Sequence, residues 1–316
     1  MENKMKSSIA CLILALTALL VLPPRVDAVI VHEGGPGNES APDNPDNDPG
    51  WEYVGVLDGD LLDGTGIYIG SQWVMTAAHV GPGNITLDSG TFSAVEGTTQ
   101  RLLNSDSSET DIILFRIDGD PELPNLQISE QTPAVGSDLI MIGAGRDREA
   151  EVTRWDSDWN EDPDGDIHGY RWTSERTMRW GENTLAEGGV FEVDGAMGTV
   201  ESFATFFNAD EGSAQATSGD SGGAVFHFNG NNGQWELAGM IHAFEQLNGQ
   251  PENTSIFIFD DDIPENDPTA GNQTLSADLS QYRDQINTVV PEPSTVGVLS
   301  GLAVFGVILL ARRRQS

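Results

Sequence analysis

The 316-residue chain has a single cysteine, Cys11. A disulfide framework and a Cys-based zinc site are both excluded. Basic residues are scarce as well: 15 Lys and Arg stand against 50 Asp and Glu, a formal net charge of −35. Nucleic-acid binding needs a cationic face that displaces counterions from phosphates, so that class of function is set aside. Six of the 15 basic residues, Lys4, Lys6, Arg25 and Arg312 to Arg314, lie at the two ends. The nine that remain are all arginine, and the body has no lysine. Such a surface keeps an exported protein soluble and repels anionic membranes. A salty or harsh habitat accounts for it more simply than a specific cationic partner does. Apolar residues still make up 38% of the chain, enough for a core, and 36 Gly with 16 Pro imply many turns.

Both ends read as addresses. Lys4 and Lys6 begin residues 1–28, Ile9 to Leu22 is an apolar run, and Val26-Asp27-Ala28 is a small-residue cleavage site. That is the pattern of a secretory signal, the run being short for a transmembrane anchor. Its removal takes the only cysteine with it. The last segment, 288–316, holds Pro291-Glu292-Pro293, an uncharged apolar stretch over 295–311, and Arg312 to Arg314. The stretch is marginally long enough to span a bilayer, and the arginines orient it with the body outward. A plain tail anchor has the same outline. The three elements in order resemble the PEP-CTERM sorting signal of Gram-negative bacteria. That resemblance implies an exosortase-type partner that cuts near the motif, a transient inner-membrane anchor, and delivery to the cell surface or beyond.

Between the ends, residues 29–50 form a leader, rich in Gly, Pro, Asn and Asp from His32 onward. From Trp51 the texture changes to short apolar runs separated by turn residues: Trp51 to Leu57, Gly66 to Ile69, Trp73 to Thr76, Ile112 to Ile117, Asp138 to Ile142, Gly189 to Val193, Ser202 to Phe207, Ala224 to Phe228 and Trp235 to Ile241. Runs of strand length at this spacing predict an all-β barrel or sandwich. Glu149 to Trp180 is charged, irregular and tryptophan-bearing, and reads as an inserted loop region. Ser276 to Ile286 is the best helix, with Ser276 as its cap and Leu279, Tyr282 and Ile286 on one face.

Three motifs carry chemistry. Ser71 to Val80, SQWVMTAAHV, sets His79 at the end of an apolar strand beside small Ala77 and Ala78. Thr110 to Ile117, TDIILFRI, opens a core strand with Asp111, and a carboxylate so close to the core needs donors such as an imidazole N–H. Ser218 to Phe226, SGDSGGAVF, surrounds Ser221 with glycines that permit a tight backbone and close approach of N–H groups to an oxyanion. A serine hydroxyl is a poor nucleophile until a base takes its proton, and the base needs an orienting acid.

TAAH, DIILF and GDSGG, in that order, resemble the chymotrypsin-like (trypsin-fold) serine proteases. The resemblance covers roughly Trp51 to Ile286 and implies two six-stranded antiparallel β-barrels with a C-terminal helix, a peptidase domain over 51–287. It implies His79 as general base and then acid, Asp111 as its orienter, Ser221 as nucleophile, and the N–H groups of Gly219 and Ser221 as the oxyanion hole. Pro133 to Gly145 matches the opening strand and turn of the second barrel. The family's activation step places a new N-terminal amine beside the acid before the serine, here Asp220. Val29 is the candidate, although His32 and Glu33 stand where two glycines are usual. Gln215 occupies the base of the specificity pocket, where an aspartate would select Arg or Lys. Phe244 narrows that pocket, and His242 is either a packed strand histidine or a feature favouring an acidic residue.

Three other readings bear on the same residues. Gly219 to Gly223 also fits the nucleophile elbow of α/β-hydrolases, but only His227 and His242 follow Ser221, too near for that fold. A non-catalytic matrix-binding module would keep the scaffold and lose the triad, whereas an esterase would keep both. The acidic runs at Asp156 to Asn160, Asp162 to Asp166 and Asp260 to Asp262 hint at calcium, yet solvated acidic loops explain them more simply. No cofactor is called for. Trp155, Trp159, Trp172 and Trp180 either line a sugar-binding face or anchor the insert.

Overall fold

The computed structural model describes residues 29–33, 36–42, 47–186, 189–258 and 271–290. The signal, Gly34-Gly35, Asp260 to Asp262 and the sorting segment from Pro291 onward lie outside these residues. Among the described residues no helix is long and apolar enough to cross a membrane.

The first half closes into a barrel. Strands Trp73–Ala77, Asp63–Gly70, Val54–Gly59, Gly83–Leu87, Gly90–Ala94 and Glu109–Asp118 pair in that order, and the last pairs back onto the first. A seventh strand, Gln100–Leu103, adds to Glu109–Asp118. Ile67, Val74, Ile85, Leu114 and Phe115 are all buried, on its two faces: Val74, Ile85 and Phe115 on one, Ile67 and Leu114 on the other. Closure leaves few edges for other chains to pair with. Trp51 is not in a strand: Trp51–Tyr53 is a 3-10 turn and the first strand begins at Val54.

The second half is a seven-stranded antiparallel sheet, ordered Arg179–Thr184, Asp138–Gly143, Ala224–Asn229, Gln234–Glu245, Gln273–Asp278, Gly198–Phe206, Phe191–Gly195. Thus each sheet has seven strands where six were expected. The extra strand in each is a hairpin arm lying beside its sequence neighbour. The C-terminal helix runs Leu279–Val289 and buries Leu279, Tyr282 and Ile286, the face expected of it. Its cap is Asp278, whose carboxylate accepts from Ser280 N–H. Ser276 sits two residues too early, inside the last strand and paired with Phe203 and Ile241.

The insert is not an irregular loop. Ile167–Arg176 is a ten-residue strand. Thr153–Trp155 and Arg146–Arg148 pair with it, and so does Thr254–Ile258 from far along the chain. Its tryptophans act as anchors: Trp155 is buried, Trp172 Nε1 donates to Ser255 Oγ at 2.9 Å, and Trp180 Nε1 donates to Ser40 O at 3.0 Å. The leader also contains structure. Ile30–Val31 forms a short antiparallel pair with Ala214–Gln215.

Candidate active site

Strand register brings the first two residues together. Trp73–Ala77 lies antiparallel to Glu109–Asp118 with Ala77 opposite Ile112, so the chain leaving Ala77 passes Asp111. Ala78 N–H donates to Asp111 O at 3.1 Å. The Asp111 side chain is fully buried and takes two bonds from one residue: His79 N–H reaches Oδ1 at 2.9 Å, and His79 Nδ1 lies 2.7 Å from Oδ2. An ionised carboxylate only accepts, so Nδ1 carries the ring proton and Nε2 keeps its lone pair. The His79 side chain is 15% exposed.

Ser221 lies in the turn that leads into the second-sheet strand Ala224–Asn229 but is pinned to the first barrel. Its carbonyl accepts from Thr65 N–H at 2.9 Å. Gly222 follows with φ +88, and a Cβ there would overlap the Thr65 carbonyl and Thr76 Oγ1. Thr76 stands three residues before His79 in the chain. The glycine is thus what lets the serine segment press against the strands that lead to the imidazole. Ser221 itself is half-buried.

Asp220, just before the serine, is entirely enclosed. Its Oδ1 accepts from Gly145 N–H at 2.7 Å, and its Oδ2 accepts from Thr217 N–H at 2.7 Å and Thr217 Oγ1 at 3.0 Å. Burial pushes its pKa up to about 6; these hydrogen bonds and the charge of Arg176 pull the other way without overcoming it. Gly143 explains how near the leader comes. A Cβ there would overlap Asp220 Oδ1 and meet Val29 Cγ2 at 3.0 Å, and Val29 is fully buried.

A family model of the trypsin-like peptidase domain matches residues 64–234, more than half of the chain. The chain belongs to the trypsin-like peptidases. A second model, the PEP-CTERM protein-sorting motif, matches residues 289–314. No curated protein matches it in sequence. Among solved structures it is similar to the Rv3671c protease of M. tuberculosis in its inactive form, at 16% identity, covering 79% of this chain and 97% of that one, TM-score 0.43. It is similar also to mouse neuropsin, at 16% identity, covering 80% and 98%, TM-score 0.45. A mutant of human heparin binding protein shows 15% identity, covering 79% and 95%, TM-score 0.45.

The remaining predicted positions of this trypsin-like peptidase fall as follows. Gln215 is fully buried on the short strand that pairs with Ile30, and neither its Oε1 nor its Nε2 has a hydrogen-bond partner. Phe244 packs edge-on against Trp172 of the insert, ring centroids 5.5 Å apart. His242 is buried, with Nε2 2.9 Å from Ser202 Oγ and Nδ1 unpartnered. Burial pushes its pKa down to about 4, with the charge of Asp111 opposing and that of His79 assisting. Its burial and its contact with Ser202 are those of a packed strand histidine.

The acidic loop at Asp156 turns inward on itself. Its carboxylate accepts from the backbone N–H groups of Asp158 and Asn160, and from Asn160 Nδ2. Among the described residues no group of three or more His, Cys, Asp or Glu is placed to hold a metal.

Sequence reasoning missed Thr65 and Arg176. Thr65 Oγ1 donates to Gly219 O at 2.9 Å and accepts from Ala144 N–H at 3.0 Å. Arg176 Nη2 donates to the same Gly219 carbonyl at 3.3 Å. The glycines on either side of Thr65, in GTGIYIG, signalled a close approach of backbones. Nothing local marks Arg176.

Proposed function

We propose that this trypsin-like peptidase is an exported serine endopeptidase that cleaves peptide bonds through His79, Asp111 and Ser221 by way of an acyl-enzyme. The observation that carries the reading is the doubly held Asp111–His79 pair, which fixes the imidazole tautomer and leaves Nε2 as the base. In the proposed reaction Nε2 takes the Ser221 hydroxyl proton as Oγ attacks the scissile carbonyl. Asp111 stabilises the imidazolium so formed. The N–H groups of Gly219 and Ser221 receive the oxyanion. The imidazolium then protonates the leaving amine, and water repeats the sequence on the acyl-enzyme. Among the described residues no hydrogen bond joins Ser221 Oγ to the imidazole; in unliganded sites such a contact is commonly loose and tightens with substrate.

The same proposal assigns 1–28 to an export signal, 29–50 to a leader, 51–287 to the catalytic domain with its second sheet as a second barrel, and 288–316 to sorting by an exosortase-type enzyme. The 295–311 stretch serves as a transient anchor. Cleavage after Ala28 frees the Val29 amine, and the buried position of Val29 near Asp220 supports its pairing with that carboxylate. Gln215 carries no charge, so cleavage after Arg or Lys is not favoured; the Phe244–Trp172 contact supports a pocket for small or medium apolar side chains.

Labelling by a fluorophosphonate probe tests the centre of this reading. Labelling that Ser221→Ala abolishes supports it, whereas an unlabelled wild type points to the non-catalytic module. A peptide-library digest separates peptidase from esterase, since an esterase labels but leaves the library intact.

A further inference from the structure

The buried carboxylate of Asp111 has a neighbour besides the imidazole. Phe191–Gly195 and Gly198–Phe206 of the second sheet form a hairpin closed by Ala196 and Met197, with Gly195 opposite Gly198. Its tip lies on the start of the first-barrel strand that carries Asp111. Gly198 has φ +141, and a Cβ there would overlap the Glu109 carbonyl, so a glycine is what allows the approach. A Cβ on Gly195 would stand 3.3 Å from Asp111 Oδ2 and 3.4 Å from Asp111 Cβ. Oδ2 is also the oxygen that lies 2.7 Å from His79 Nδ1. Hairpin tip and imidazole thus meet at one oxygen, and the Asp111 side chain is fully buried.

The tip is held down from the first barrel and the helix. Arg101, on the strand Gln100–Leu103, donates from Nε to Thr110 O at 2.6 Å and from Nη2 to Met197 O. One guanidinium therefore joins the residue before Asp111 to the turn of the hairpin. Its Nη1 lies 3.6 Å from Glu109 Oε2. Asn104 Nδ2 donates to Thr199 O at 3.0 Å, and Glu201 N–H donates to Tyr282 Oη at 2.9 Å. Those two contacts hold an arm of the hairpin, whereas Arg101 reaches the turn itself. Water admitted at Oδ2 would compete with Nδ1–H for the lone pairs of that oxygen. It would also screen the charge that steadies the imidazolium.

We propose that Arg101 is a positioning residue for the catalytic pair: it clamps the Gly195–Gly198 turn over Asp111 Oδ2 and so keeps water off the oxygen that holds His79 Nδ1–H. The inference rests on the peptidase reading above. It also gives the two seventh strands a shared role, since Gln100–Leu103 supplies the clamp and Phe191–Gly195 leads into the turn that is clamped.

The test compares wild type, Arg101→Ala, Arg101→Lys and Gly198→Ala in the full chain. Gly198→Ala lifts the same turn by a different handle, touching neither Arg101 nor Asp111. The readouts are kcat and KM on a peptide substrate, fluorophosphonate labelling rate, thermal midpoint, and the proton NMR signal of His79 Nδ1, identified by its absence from His79→Gln. Arg101→Ala is expected to lower kcat and the labelling rate about ten- to a hundredfold, with KM within about twofold. Its Nδ1 proton signal is lost to exchange with water at a pH and temperature where the wild type shows it. Gly198→Ala changes rate and signal in the same sense, and Arg101→Lys regains part of both. Should Arg101→Ala fail to fold, the other two variants decide by the same criteria. A kcat within twofold of wild type overturns the proposal, and so does a fall in kcat with the Nδ1 signal unchanged. A wild type that fails to label removes the peptidase reading, and this inference with it; a labelled wild type matched by Arg101→Ala removes the inference alone.

Discussion

Asp220 offers a measurement that reads whether the Val29 amine docks beside it. With an N-terminal extension left in place, burial holds this carboxyl near pKa 6, against an ordinary value of 3.8. Between those two values the unfolded chain has released the proton and the folded chain has kept it. Stability therefore falls as pH rises through that window. The gap between 3.8 and about 6, at about 1.4 kcal/mol per tenfold change in proton affinity, amounts to about 3 kcal/mol. A chain starting at Val29 places a cationic amine near the carboxylate and draws the pKa down. A partial drop shrinks the loss of stability over the window; a drop below 3.8 reverses it, and the contribution of Asp220 is then present above 3.8 and lost as pH falls through the lowered value. The assay is thermal unfolding across this pH range for both chains, with Asp220→Asn measured in parallel. The asparagine alters absolute stability, because its amide faces the Gly145 and Thr217 donors, but it does not titrate, so the difference curve isolates the carboxyl. A flat or rising difference curve for the extended chain refutes the burial argument. Identical curves for the two chains refute the pairing of Val29 with Asp220.

Other outcomes follow from the same geometry. Asp111→Asn is expected to lower kcat about 10⁴-fold, because an amide cannot accept from both His79 N–H and Nδ1–H and so favours the wrong tautomer; steady-state kinetics against Ser221→Ala reads it. Gly222→Ala is expected to cost several kcal/mol and abolish probe labelling, since positive φ alone costs about 1–2 kcal/mol and the overlap with the Thr65 carbonyl adds to it. Gly230→Ala, with nothing within 4 Å of the new carbon, changes the midpoint little and serves as control. Gln215→Met removes two unpartnered amide atoms from a buried site and is expected to raise stability by about 1–3 kcal/mol in chemical denaturation. Should the amide contact substrate, the same variant also shifts the cleavage profile at that pocket.

The candidate site was legible in the sequence wherever local chemistry marked its residues. TAAH and TDIILF each placed a polar side chain at the mouth of an apolar strand, and register then joined them. GDSGG announced its close approach by composition, and Gly222 against Thr65 is that approach. Contacts between distant segments were opaque. Thr65 meets Gly219 across 154 residues and Arg176 meets it across 43, with no periodicity to betray either bond. The insert read as loop because its strand gains a partner, Thr254–Ile258, that no local window contains. The helix cap was displaced by two residues because Ser276 has the side chain of a cap, yet its backbone is already committed to pairing on both sides. Ile30–Val31 was missed because two residues make no pattern; only the facing Ala214–Gln215 turns them into a strand.

The enclosure of Val29 has a practical consequence in a body without lysine. If the proposed cleavage after Ala28 takes place, the chain that remains carries a single primary amine, that of Val29. A succinimidyl ester then has one place to react, and a fold that buries Val29 as here would cover it. Acylation by such a reagent becomes a gauge of whether that first residue has docked, one that needs no substrate and no knowledge of what the enzyme cuts.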